Sequence, residues 1–143
     1  MFVLQNTPID YLKIKNSYSD SKNGALVSFE GLVRNDNVHD KKVASLLYIA
    51  DEALCMKEGQ LIVDQAIQNF NLNHAICVQR IGQVETLQTA IWIGTWATHR
   101  DEAFQGCRYI IEETKKRLLI WKKEFYNNGT SSWIHGAQTP VII

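Results

Sequence analysis

The 143-residue chain has no excess of charge of either sign, with 15 Lys+Arg against 15 Asp+Glu. That balance argues against a generic polyanion coat or a membrane-surface binder, since both draw affinity from a basic surplus. Proline is nearly missing: Pro8 and Pro140 lie near the ends. No proline-rich linker therefore divides the chain, and a single domain over residues 1–143 is expected. No apolar run approaches the ~20 residues needed to span a bilayer. The start, MFVLQNTPID, lacks the basic n-region and long apolar stretch of an export signal, so a soluble, cytoplasmic protein is expected. Cys55, Cys77 and Cys107 form no CxxC pair, and each falls in an apolar periodic segment. That is the pattern of small buried hydrophobes in a reducing compartment. His39, His74, His99 and His135 show no HxH or HxxxH spacing, so no metal site is expected.

What is present is an ordinary globular composition, 45% hydrophobic and 21% charged, which excludes wholesale disorder. A chain of this length buries roughly two-thirds of the surface its unfolded form exposes. Strand signals cover 24–34, 44–50, 75–80 and 90–98. In the first, Leu26, Ser28 and Glu30 alternate with Val27, Phe29 and Gly31, the two-residue period of a strand with one buried face. Two helices are predicted. Over 52–70 the stripe is Ile62, Val63, Ala66, Ile67 and Phe70; over 101–118 it is Ala103, Cys107, Ile110, Ile111, Thr114 and Leu118. The stretches 16–24 and 35–42 read as loops, and Asn128-Gly129 within 127–132 suggests a hairpin between short aromatic segments. The order strand–strand–helix–strand–strand–helix–hairpin is not a strict βαβ alternation, so it favours an α+β domain with a largely antiparallel sheet.

The charge is unevenly spread. Five of the 15 basic residues occupy nine positions, 115–123 (KKRLLIWKK), with no acid among them. Cations at a helix C-terminus complement its dipole, which suits Lys116 and Arg117. Lys122 and Lys123 lie beyond the quartet Leu118-Leu119-Ile120-Trp121, outside the predicted helix. An ammonium held against apolar surface loses pKa and gains a free amine. A solvated basic end and an anion-binding or catalytic site both remain open on this pattern. A second feature is Thr98-His99-Arg100-Asp101-Glu102 at a strand-to-helix junction. Thr98 or Asp101 is expected to cap the helix, and a helix N-terminus with His99 and Arg100 suits a phosphate. A third is Arg34-Asn35-Asp36-Asn37, where a strand runs into a polar loop.

Four of these stretches, in order, resemble one family: GALVSFEGLVRNDN at 24–37, RIG at 80–82, THRDEAF at 98–104 and KKRLLIWKKE at 115–124. The chain is similar to the large, catalytic subunit of molybdopterin synthase, the MoaE family. It departs from the family pattern at Leu119, where a proline is usual, at Thr86-Leu87-Gln88 in place of a glycine–aspartate turn, and at Ile49 in place of a glutamate. The segment from 125 onward, with Trp133 as its one familiar residue, aligns poorly.

The resemblance implies an α/β hammerhead fold and a sulfurtransferase. Its substrate would be cyclic pyranopterin monophosphate (precursor Z), converted to the dithiolene of molybdopterin in molybdenum cofactor biosynthesis. The sulfur would come from a small ubiquitin-like carrier ending in a Gly-Gly thiocarboxylate, in a heterotetramer built on a homodimer. No cofactor of its own is implied. Lys115 and Lys122 match the family's catalytic lysines, the first acting on the thiocarboxylate or its acyl adduct, the second on developing negative charge or the phosphate. Arg34, His99 and Arg100 match substrate-binding positions, some supplied across the dimer. Lys116, Arg117 and Lys123 would add general positive potential. Two other readings stand beside this one: a non-enzymatic module binding RNA or an acidic protein through 115–123, and a catalytically silent scaffold homologue.

Overall fold

The computed structural model describes residues 1–134; His135 lies outside them. The chain runs β1 (Phe2–Gln5), α1 (Tyr11–Asn16), β2 (Ala25–Leu32), β3 (Asn37–Val38), β4 (Lys41–Ala50), α2 (Glu52–Phe70), β5 (His74–Arg80), β6 (Gly82–Glu85), β7 (Thr89–Ala97), α3 (Arg100–Arg117), β8 (Ile120–Tyr126) and β9 (Ser131–Trp133). One sheet has the order β1-β5-β7-β2, antiparallel except for the β1–β5 pair. The other has the order β3-β4-β8-β9, with β6 along β4. The α+β expectation and its antiparallel bias therefore hold, as does the hairpin, which is β8–β9.

Periodicity places the two long helices to within one residue, because their apolar stripes are what the first sheet needs as cover. α2 buries Cys55, Gly59, Ile62, Val63 and Ala66, and α3 buries Ala103, Gly106, Cys107, Ile110 and Thr114. Together with Ala75, Cys77, Ile91 and Ile93, the apolar side chains among these form the main core. Each fully buried isoleucine among them contributes about 1.5–3 kcal/mol. Gly59 is required by close approach, since a Cβ there would lie 2.4 Å from the Phe2 ring. All three cysteines are buried free thiols, and burial alone pushes the Cys107 thiol up to about 11.

The capping of α3 differs from expectation. The N-cap is His99, with no side-chain cap bond, and the helix begins at Arg100. Thr98 therefore lies outside capping reach. Asp101 lies inside the first turn, where its carboxylate suits the dipole and accepts from Gln105 Nε2 at 2.6 Å. The short strands β1, β3 and β6 and the helix α1 carry too few residues for a periodic signal, so only tertiary pairing reveals them. Gly82, in the RIG segment, has φ +80° and turns β5 into β6. At the next turn Leu87 occupies the same left-handed region at φ 70°, with its side chain 80% exposed.

Candidate active site

A cavity of about 430 Å³ opens between the two sheets, at the C-terminal end of α3. Its apolar floor is a second, smaller core in which Val33, Tyr48, Val84 and Ala90 are buried and Leu46 and Ile120 pack against them. Lys115 enters from the last turn of α3 and Lys122 from β8. Helix and strand are separated by an abrupt turn. The Leu118 backbone is extended (φ −78°, ψ 132°), and the Leu119 carbonyl accepts from Asp51 N at 3.3 Å and from Cys55 Sγ at 3.3 Å. Backbone and thiol donors thus pin the turn at the position where the family pattern has proline.

Strand alternation then sorts the basic cluster. Ile120, Lys122 and Glu124 line the cavity, while Lys123 faces away, between the rings of Phe125 and Trp133. Arg117 turns toward α2. Its Nε lies 2.5 Å from Glu58 Oε1, and its Nη1 donates to Gln65 Oε1 at 2.8 Å. Lys116 pairs with Glu113 at 3.8 Å. Of the five cations in 115–123, two line the cavity and the other three have local partners on other surfaces.

Lys122 sits directly across from Tyr48 in the β4–β8 ladder, its Nζ 5.8 Å from the ring centroid. Burial, followed by the charge and hydrogen bonding of neighbouring Lys115, lowers its pKa to about 8. A cation with so little water and a like charge beside it holds its proton weakly. Burial acts in the opposite sense on the Tyr48 phenol, raising it to about 12, so it stays protonated beside the amine. The pair of amines can therefore supply a free base or nucleophile and a retained cation in one pocket.

Arg34 also lines the cavity, at its mouth; its side chain is 81% exposed and pairs with Asp36 at 3.1 Å. His99 and Arg100 do not join it. They are exposed at the opposite end of α3, roughly 22 Å from Lys115 at 1.5 Å per residue. Gln79, Tyr48 and Glu124 belong to the cavity although the sequence reading did not single them out. Only Glu124 left a trace, two positions beyond Lys122 and hence on the same face of the strand. Among the described residues, no group of three or more His, Cys, Asp and Glu could hold a metal ion.

Residues 4–117 match the family model described as MoaE protein. The chain belongs to the MoaE family. Relatives include the molybdopterin synthase catalytic subunit of Synechococcus elongatus, 41% identical over 82% of this chain and 71% of that protein. The catalytic subunit from Pyrococcus abyssi is 37% identical over 82% and 78%. Among solved structures, molybdopterin synthase from Staphylococcus aureus superposes with a TM-score of 0.84 at 27% identity, covering 94% of this chain and 96% of that one. A complex of subunits 1 and 2 of molybdopterin-converting factor from Helicobacter pylori shares the fold, with a TM-score of 0.78 at 19% identity. The MoaE fold thus accounts for the hammerhead expectation, and the two lysines occupy its cavity here.

Proposed function

We propose that this chain is the catalytic subunit of a molybdopterin synthase, a sulfurtransferase of molybdenum cofactor biosynthesis. It takes sulfur from the C-terminal thiocarboxylate of a small ubiquitin-like carrier and delivers it to precursor Z. The observation that carries this reading is the convergence of Lys115 and Lys122 on one cavity with an apolar floor, with Lys122 lowered to about 8. A thiocarboxylate is anionic: its sulfur bonds to a side-chain carbon of the pterin as a C–O bond there breaks, and the resulting thioester is cleaved by water, directly or after acyl transfer to an amine, releasing the carrier as its carboxylate. Lys115, reaching in from the exposed end of α3, acts on that acyl adduct. Lys122 balances the developing negative charge and exchanges a proton near neutral pH. No helix among the described residues is long and apolar enough to cross a membrane.

Arg34 at the mouth serves the substrate phosphate. His99 and Arg100 lie too far from Lys115 to serve the same cavity within one chain, so in this reading they reach the cavity of a second copy. A homodimer with one carrier bound to each copy then makes the working heterotetramer. The dispersal of Lys116, Arg117 and Lys123 onto separate surfaces weighs against an RNA-binding face on 115–123.

The test is reconstitution with a thiocarboxylated carrier and precursor Z, following dithiolene formation. Wild type should turn over. Lys115→Ala should lose activity with its fold retained, and near-normal turnover in that variant would sink the assignment of Lys115. Mixing His99→Ala/Arg100→Ala chains with Lys115→Ala chains should restore part of the activity if residues are shared across copies.

A further inference from the structure

Gln79 is a carboxamide in the cavity whose hydrogen-bonding direction the protein has already fixed. It lies on β5 opposite Ile91 of β7 and is 7% exposed. Its Nε2 donates both hydrogens, to the Arg80 carbonyl at 2.9 Å and the Ala90 carbonyl at 3.2 Å. A carboxamide with both donors engaged presents only an acceptor. Oε1 accepts from no described residue and is not sealed in the interior, which leaves it open to the cavity that Gln79 lines.

The cavity is otherwise rich in donors. Arg34 and the ammonium forms of Lys115 and Lys122 can bind phosphate, carbonyl or thiocarboxylate oxygens but cannot accept an N–H; the unprotonated Lys122 amine, the minor form at pH 7, belongs to β8 of the second sheet. Asp36 and Glu124 are acceptors, but they reach the cavity from the loop before β3 and from β8 of the second sheet, and Asp36 is paired with Arg34. Thr114 donates its hydroxyl to the Ile111 carbonyl. On the first sheet, Gln79 Oε1 is therefore the side-chain atom suited to an uncharged N–H. A reduced pterin carries such donors on its lactam and amidine edge, and burying them unmatched would be costly. The carrier's peptide tail also has N–H groups. It has another outlet, because β2 is an edge strand whose outer side pairs with no described strand and whose end, Gly31–Leu32, borders the cavity.

We infer that Gln79 is a specificity-determining residue, its fixed Oε1 accepting a hydrogen bond from a ring N–H of the pterin substrate. This rests on the pterin reading of the cavity given above. Isothermal titration of precursor Z, and separately of the carboxylate form of the carrier, into wild type, Gln79→Leu and Gln79→Met tests it. Both variants keep the approximate volume and remove the acceptor. Precursor Z affinity, and KM in the reconstituted reaction, should worsen roughly ten- to hundredfold. Carrier affinity and kcat at saturation should stay within about threefold. Unchanged precursor Z affinity overturns the inference, and so does a loss confined to carrier binding, which would give the acceptor to the peptide tail. Both variants strip donors from two buried carbonyls, so wild type is also titrated with a pterin monophosphate methylated at the ring nitrogen. That analogue should bind at least tenfold more weakly than its unmethylated parent, and equal binding refutes the assignment without any folding question. Failure of wild type to bind either precursor Z or the carrier would instead count against the proposed function.

Discussion

Replacing Lys122 by methionine should stabilise the protein at neutral pH while removing its activity. Lys122 in the fold titrates at about 8 against an ordinary 10.5. That gap of 2.5 units corresponds to about 3 kcal/mol of preference for the neutral amine, and residual solvent screening reduces it to roughly 2. Below pH 8 the ammonium is present in both folded and unfolded chains, and the fold bears the whole penalty. Between pH 8 and 10.5 the unfolded chain holds a proton that the folded chain has released, so stability rises with pH. Above 10.5 the penalty is gone. Urea denaturation of wild type and Lys122→Met across pH 6–11 should show the variant more stable by about 2 kcal/mol below pH 8. The gap should close progressively toward pH 10.5. A gap independent of pH, or a variant less stable than wild type at pH 7, would refute the claim that Lys122 is held as a strained cation. The same property gives function its opportunity: at pH 7 about one amine in ten is unprotonated, against fewer than about one in a thousand for an ordinary lysine.

Lys115→Gln should raise the pKa of Lys122, because it removes the neighbouring charge, yet leave it below 10.5 because burial is the larger cause; ¹³C-methylated lysine NMR reads this directly. Asp36→Asn should free Arg34 at the cavity mouth and tighten substrate binding by at most about fivefold, as expected for an exposed pair; the effect should fade at high salt. Leu87→Asn should stabilise the fold by roughly 1 kcal/mol, because asparagine tolerates the left-handed backbone that Leu87 holds at φ 70°; chemical denaturation measures it. Gly59→Ala should cost about 1–3 kcal/mol by driving a methyl into the Phe2 ring, with a lowered melting temperature as readout.

The long helices, the main strands and the basic segment that carries Lys115 and Lys122 were legible in the sequence alone. Those features rest on local periodicity and on a charge cluster that composition makes visible. The apolar quartet between Arg117 and Lys122 already contained the reason for a perturbed lysine. What the local pattern left open was which of five adjacent cations mattered. The family resemblance singled out Lys115 and Lys122, and the turn at Leu118–Leu119 gives the physical sorting: it ends a helix and starts a strand, so that Lys115 and Lys122 share a cavity while Arg117 meets Glu58 and Lys123 meets Trp133. Tertiary structure alone also placed Tyr48 across from Lys122 and tied the Gln79 amide nitrogen to the Ala90 carbonyl, because both depend on pairings between strands distant in sequence. It likewise set His99 and Arg100 a helix-length away from Lys115, since a rigid α-helix fixes the separation of its two ends.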